Sequence, residues 1–153
     1  MSEQFNKAVV CRVGDEEFGF PIEQVIAIEK PQTITPVPKT PEHILGITKI
    51  RGAVTPILDL RTYLLNQHSE ADERNRIILV QIEDTNVGLL VDHAYDVLDI
   101  PQDKVESVNI AENEFTKSMN VVKMEDRLIL LPDIQYMLTE MDAHLFQKLK
   151  EVV

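Results

Sequence analysis

Positive charge is scarce in this 153-residue chain: 15 Lys and Arg stand against 26 Asp and Glu, a formal net charge of −11. Nucleic acids and anionic membrane surfaces are bound through clustered Lys and Arg, so neither is an expected partner. No run of roughly 18 apolar residues occurs, and the opening MSEQFNKAVV has no signal-peptide h-region. The expectation is a cytoplasmic chain with no direct membrane insertion. The single cysteine, Cys11, excludes an internal disulfide and a Cys-type zinc site. On the alternation Val9, Cys11, Val13 it reads as an inert core thiol. Five glycines form neither a dinucleotide-binding nor a P-loop pattern, and no serine sits in a GxSxG elbow. The four histidines, His43, His68, His93 and His144, fall in four segments without metal-ligand spacing.

What is present is ordinary for a globular chain: 44% hydrophobic and 27% charged residues, enough for one domain or two small lobes sharing a core. The most informative stretch is 47–64, ITKIRGAVTPILDLRTYL. It reads as a strand, an Arg51-Gly52 turn, a second strand, and a short helix capped by Asp59. Arg51 is the anomaly. A guanidinium at a strand end is either paired with an acid, such as Glu29 or Asp59, or offered to a partner.

Short strands recur elsewhere: 8–13 and 18–20 as a hairpin, one helical turn at 21–25, then extended 26–29. Four prolines in 31–41 exclude helix there. After a polar connector, strands return at 77–82, 87–91 and 95–100. A turn or short helix follows at 101–108, then a loop, then a hairpin over 121–131. Pro132 is expected to open a long amphipathic helix whose apolar face is Ile134, Met137, Leu138, Met141, Leu145 and Leu149. The chain also repeats. Residues 8–28 align with 77–97 at an offset of 69, and 47–64 with 121–138 at an offset of 74, both without gaps. Asp59 then meets Asp133, but Arg51-Gly52 meets Glu125-Asp126, so the Arg-Gly is not part of the shared frame. Many short strands at this spacing point to small barrels or a sandwich, and the expectation is a mainly β fold of two small lobes on a common hydrophobic core, with a C-terminal amphipathic helix. The lobes are expected over about 8–65 and 77–131, with a connector over about 66–76 and the helix over about 132–150.

One cluster could carry chemistry. Asp92, Asp96 and Asp99 would share a face of a helix and hold a metal, but their neighbours read as strand, which spreads the carboxylates over both faces. No catalytic residue, metal or cofactor is expected.

Taken in order, the motifs resemble the CheW-like coupling proteins of bacterial chemotaxis. Residues 46–61, GITKIRGAVTPILDLR, are similar to the family pattern G-hydrophobic-x-N-L-R-G-x-hydrophobic-x-P-hydrophobic-hydrophobic-D-L-R. Supporting pieces are EFGF (17–20), VIAIE (25–29), VGLLVD (87–92) and DRLILL (126–131), so the likeness covers roughly residues 5–145. It implies two small SH3-like five-stranded β-barrel lobes and a non-catalytic adaptor. The adaptor would couple the cytoplasmic tip of methyl-accepting chemoreceptors to the regulatory domain of a CheA-type histidine kinase, at membrane-bound receptor arrays. By the same likeness, the receptor-side or kinase-side candidates are Val25, Ile28, Gly46 and Arg51, with Gly52 shaping the turn. Two departures stand out: Lys49 occupies the family's Asn position, and Ala27 stands where some members carry Glu. Weighed beside this reading are a surface-motility or other non-chemotaxis array adaptor, the coupling module of a CheV-type protein, and a metal-dependent enzyme using Asp92, Asp96 and Asp99.

Overall fold

Apolar residues of both parities fill KAVVCRV, so strand β1 (Lys7–Val13) needs cover on two sides. In the computed structural model, which describes residues 7–67, 72–82, 84–107 and 119–135, it has that cover. Ala8 and Val10 join a cluster with Ile100, Val122, Ile129 and Leu131. Val9, Cys11 and Val13 join a larger one with Phe18, Phe20, Leu58, Ile78 and Leu89.

β2 (Glu16–Pro21) returns as a hairpin through Gly14, at φ +64°. A 3-10 turn over Ile22–Gln24 leads to β3 (Val25–Glu29). Within the proline segment Thr35 bridges Ile47, with both backbone bonds made, at 2.8 and 2.9 Å. β4 (Ile44–Ile50), β5 (Ala53–Asp59) and helix α1 (Leu60–Leu65) follow. As expected, Asp59 caps α1: its carboxylate accepts from Arg61 N–H (3.1 Å) and from the Thr62 hydroxyl (2.9 Å). β6 (Arg76–Ile82), β7 (Thr85–Val91) and β8 (His93–Asp99) come next, then a 3-10 turn over Gln102–Lys104 and β9 (Val105–Ser107). β10 (Met119–Met124) and β11 (Arg127–Pro132) are the last described strands. β9 was not expected from the sequence. Pro132 ends β11, and helical backbone begins at Ile134 and Gln135, with Ile134 buried. Beyond Gln135, the expected C-terminal helix lies outside the described residues.

The fold is mainly β. One sheet runs β8-β1-β2-β11-β10-β9 and the other β3-β6-β7-β5-β4. Each takes strands from both halves of the chain. Replacing every strand of the second sheet by its sequence-repeat counterpart gives β8-β1-β2-β11-β10, the first sheet without β9. Register follows the same rule. Val97 pairs with Val9 and Asp96 with Val10, while Ile28 pairs with Ile78 and Ala27 with Leu79. Every residue of the one set is 69 positions from its counterpart in the other. Even the bulge repeats, between Val10 and Cys11 in one sheet and between Val25 and Ala27 in the other. The sheets exchange their N-terminal hairpins through the parallel pairs β2·β11 and β5·β7.

Three cores result. Ala8, Val10, Ile129 and Leu131 sit inside the six-stranded sheet, and Ile50, Ile57, Ile77 and Leu79 inside the five-stranded one. The largest cluster lies between them and draws on strands of both. At about 1.5–3 kcal/mol for each fully buried large apolar side chain, the shared cluster contributes more than either private one. Among the described residues, no helix is long and apolar enough to cross a membrane.

Candidate functional site

β4 and β5 are joined by two residues only, Ile50 pairing with Ala53. Such a loop matches the right-handed strand twist when both residues have positive φ. Arg51 lies at φ 54° and Gly52 at φ 83°. A Cβ on Gly52 would meet nothing within 4 Å, so glycine is there for backbone conformation alone. The bend leaves Arg51 projecting, 62% exposed, with its Nε donating to Glu29 Oε2 at 3.0 Å. Glu29 ends β3. β3 and β4 are the two outer strands of the five-stranded sheet, so this ion pair spans the gap across which the sheet curls. The either-or posed by the sequence resolves into both. One guanidinium nitrogen holds an acid, and the others make no bond among the described residues.

β3 carries the apolar part of this surface. Ile26 and Ile28 point outward, 40% and 45% exposed, while Val25 packs against the shared core and Ala27 against the core of its own sheet. Ile28, Arg51 and Gly52 therefore belong to one exposed neighbourhood, and Val25 lies beneath it. Gly46 does not join them. It is buried at φ 144°, and a Cβ there would run into the Thr35 carbonyl. Its absent side chain is what lets the proline segment lie against β4.

Sequence reasoning missed Ile26, and it missed a second exposed patch. Tyr95 and Val97 project from β8, one outer strand of the other sheet, at the positions that repeat Ile26 and Ile28. The offset of 69 carried that information. Behind Tyr95, Glu17 accepts from Arg127 Nε (3.2 Å) and Nη2 (2.9 Å) and from the Tyr95 hydroxyl. Arg127, ahead of its own burial, holds the Glu17 carboxyl below its ordinary range. Burial, then the hydrogen bond to Glu17, pushes the Tyr95 phenol up to about 12.

Asp92, Asp96 and Asp99 are not brought together. Asp92 accepts from Gly14 N–H (2.8 Å) and Arg61 Nη1 (3.2 Å). Asp96 faces Arg127 at 3.8 Å, and Asp99 pairs with Lys7 at 2.7 Å. Three carboxylates on three separate cations make no metal cradle. Cys11 is fully buried, and burial first, with Asp92 next, drives its thiol far above the reactive range. His43 rests against Tyr63 with ring centroids 5.1 Å apart, and burial lowers its pKa.

Two interleaved sheets display exposed apolar side chains on outer strands, with Arg51 beside them at the β4–β5 turn. The CheW-like domain model matches residues 7–142, and the chain belongs to that family. It is 34% identical over 129 residues to the chemotaxis protein CheW of Bacillus subtilis, covering 83% of each chain. The same identity over 128 residues relates it to CheW of Rhizobium meliloti. Protein FrzA of Myxococcus xanthus is 33% identical over 90 residues, 59% of this chain and 56% of that one. Among solved structures, the scaffolding protein TtCheW from Thermoanaerobacter tengcongensis superposes with a TM-score of 0.77 at 28% identity, covering 87% of both chains.

Proposed function

We propose that this chain is a non-catalytic cytoplasmic adaptor that couples transmembrane chemoreceptors to a CheA-type histidine kinase within receptor arrays. The observation that carries the reading is the surface at the β3 edge: Ile26 and Ile28 exposed beside Arg51, whose guanidinium is only partly engaged by Glu29. Apolar anchors flanked by a charge with spare donors suit a helical partner that presents its own apolar face and an acid. Ile28 and Arg51 make the contact, Gly52 sets the direction of Arg51, and Val25 and Gly46 hold the strands that present them. Such a partner is the helical cytoplasmic tip of a receptor. The kinase's regulatory domain completes the assembly.

A pull-down against a receptor-tip fragment and a CheA-type regulatory domain tests this. Arg51→Glu is expected to lose receptor binding by about a hundredfold or more, since it reverses a charge at the contact and adds like-charge repulsion. Arg51→Ala is expected to lose less. Both variants should keep the parent's circular dichroism, because an exposed pair contributes about 1 kcal/mol at most. Full binding by folded Arg51→Glu would remove this surface from the reading. Binding of the parent to neither fragment would remove the reading itself.

A further inference from the structure

Arginine is sparse here, yet three arginines line one cleft of about 230 Å3: Arg12 on β1, Arg61 on α1, and Arg74 just before β6. The two acids in the cleft are each already matched. Asp92 is taken by Arg61 and the Gly14 N–H, and Asp72 is forked by Arg74 through Nε and Nη2, both at 3.2 Å. Arg12 is left over. Among the described residues its side chain makes one hydrogen bond, at 3.4 Å to the Asp15 carbonyl. Glu17, opposite Arg12 in the β1–β2 ladder, is held by Arg127 through two bonds. Across the three guanidinium forks, only five N–H groups are engaged among the described residues. The cleft lining carries three cations and two anions, and Glu17 stands beside Arg12 as a further anion, in a chain of net −11.

Unused planar donors from three elements, lining one open cleft, suit a tetrahedral oxyanion. Guanidinium forks recognise phosphate bidentately, and three of them can address three oxygens. We propose that this cleft binds phosphate, either free or as the terminal group of a small phosphomonoester. The site also has a mechanical consequence. Arg12 belongs to the six-stranded sheet, whereas Arg61 and Arg74 flank strands of the five-stranded one. An anion gripped by all three ties the sheets together and stabilises the fold by mass action. The long-range field of the acidic chain opposes binding, so affinity falls in the millimolar range.

The test is a titration of the full-length protein with inorganic phosphate, followed by the backbone amide signals of Gly14 and Asn75, with sodium chloride at matched ionic strength as control. The expected result is a saturable shift with half-saturation at about 1–10 mM that chloride does not reproduce. Arg12→Gln and Arg74→Gln should each weaken binding about tenfold or more, and circular dichroism checks that both fold. A parallel titration with adenosine monophosphate separates the sources. Tighter binding than phosphate assigns a nucleotide, and equal binding assigns the phosphate group alone. Shifts that grow linearly and match those in chloride, or both folded variants titrating like the parent, would overturn the site.

Discussion

Glu17 shows how much one side chain does when the topology places it between strands. It is the partner of Arg12 along the β1–β2 hairpin, lies beside Ile129 across the parallel join, and holds Arg127 and Tyr95 at once. The Arg127 bond lowers its pKa in the folded chain, so folding favours the ionised form. That contribution is complete above the unfolded carboxyl value of 4.5 and is lost as pH falls through the depressed folded value. Tyr95 acts at the other end of the scale. Its folded pKa, raised to about 12, favours the neutral phenol, and this stability is present below 10 and lost as pH rises toward 12. Urea unfolding at stepped pH should therefore show a loss below pH 4.5 that Glu17→Gln flattens, and a loss above pH 10 that Tyr95→Phe flattens. An unchanged acid limb in Glu17→Gln would mean that other carboxylates govern acid unfolding. None of this was legible in the sequence, where Glu17, Tyr95 and Arg127 lie far apart and only the fold joins them.

At the scale of elements, local chemistry was read well and edge-to-edge contacts were not. The Arg51-Gly52 turn, the Asp59 cap and the hairpins follow from nearest-neighbour rules, and the structure has them. β9 was missed because three residues after a 3-10 turn carry no periodic signal, and only pairing with β10 makes them a strand. The role of Gly46 was missed for a similar reason. Its requirement comes from Thr35, eleven residues away, whose segment seals the outer side of β4. Of the five candidate residues, the three at the surface could be placed by the alternation of β3 and the turn. The two inner ones take their meaning from packing. The two glycines should accordingly behave differently. Gly52→Ala meets no atoms and pays only for positive φ, about 1–2 kcal/mol. Gly46→Ala must also displace the Thr35 carbonyl, so a loss of about 2–4 kcal/mol is expected, with faster exchange of the Thr35 and Ile47 amides. Equal destabilisation of the two variants in urea would show that the segment yields without cost.

For the whole molecule, the repeat in the sequence revealed the two-fold plan but not the exchange. An offset of 69 shows that β1 resembles β6; it does not tell whether β1 pairs with strands of its own half or of the other. The structure sends β1 and β2 to the sheet of β8 to β11, and β6 and β7 to that of β3 to β5. Neither half then holds a closed set of strands. Residues 1–67 alone would leave β5 without β7 and β3 without β6, while their own hairpin lacks β8 and β11. The shared cluster would be split as well, with Val9, Phe18 and Leu58 on one fragment and Ile78, Val80 and Leu89 on the other. Fragments 1–67 and 72–153, expressed separately, should each show no cooperative thermal transition. Mixed at equal concentration, they should regain one, with a midpoint that rises with concentration because folding has become bimolecular. The intact chain should unfold in a single step with coincident far-ultraviolet and tyrosine-fluorescence transitions. A fragment that melts cooperatively by itself would show that one sheet closes without borrowed strands, and the two sheets would then be free to move as separate lobes.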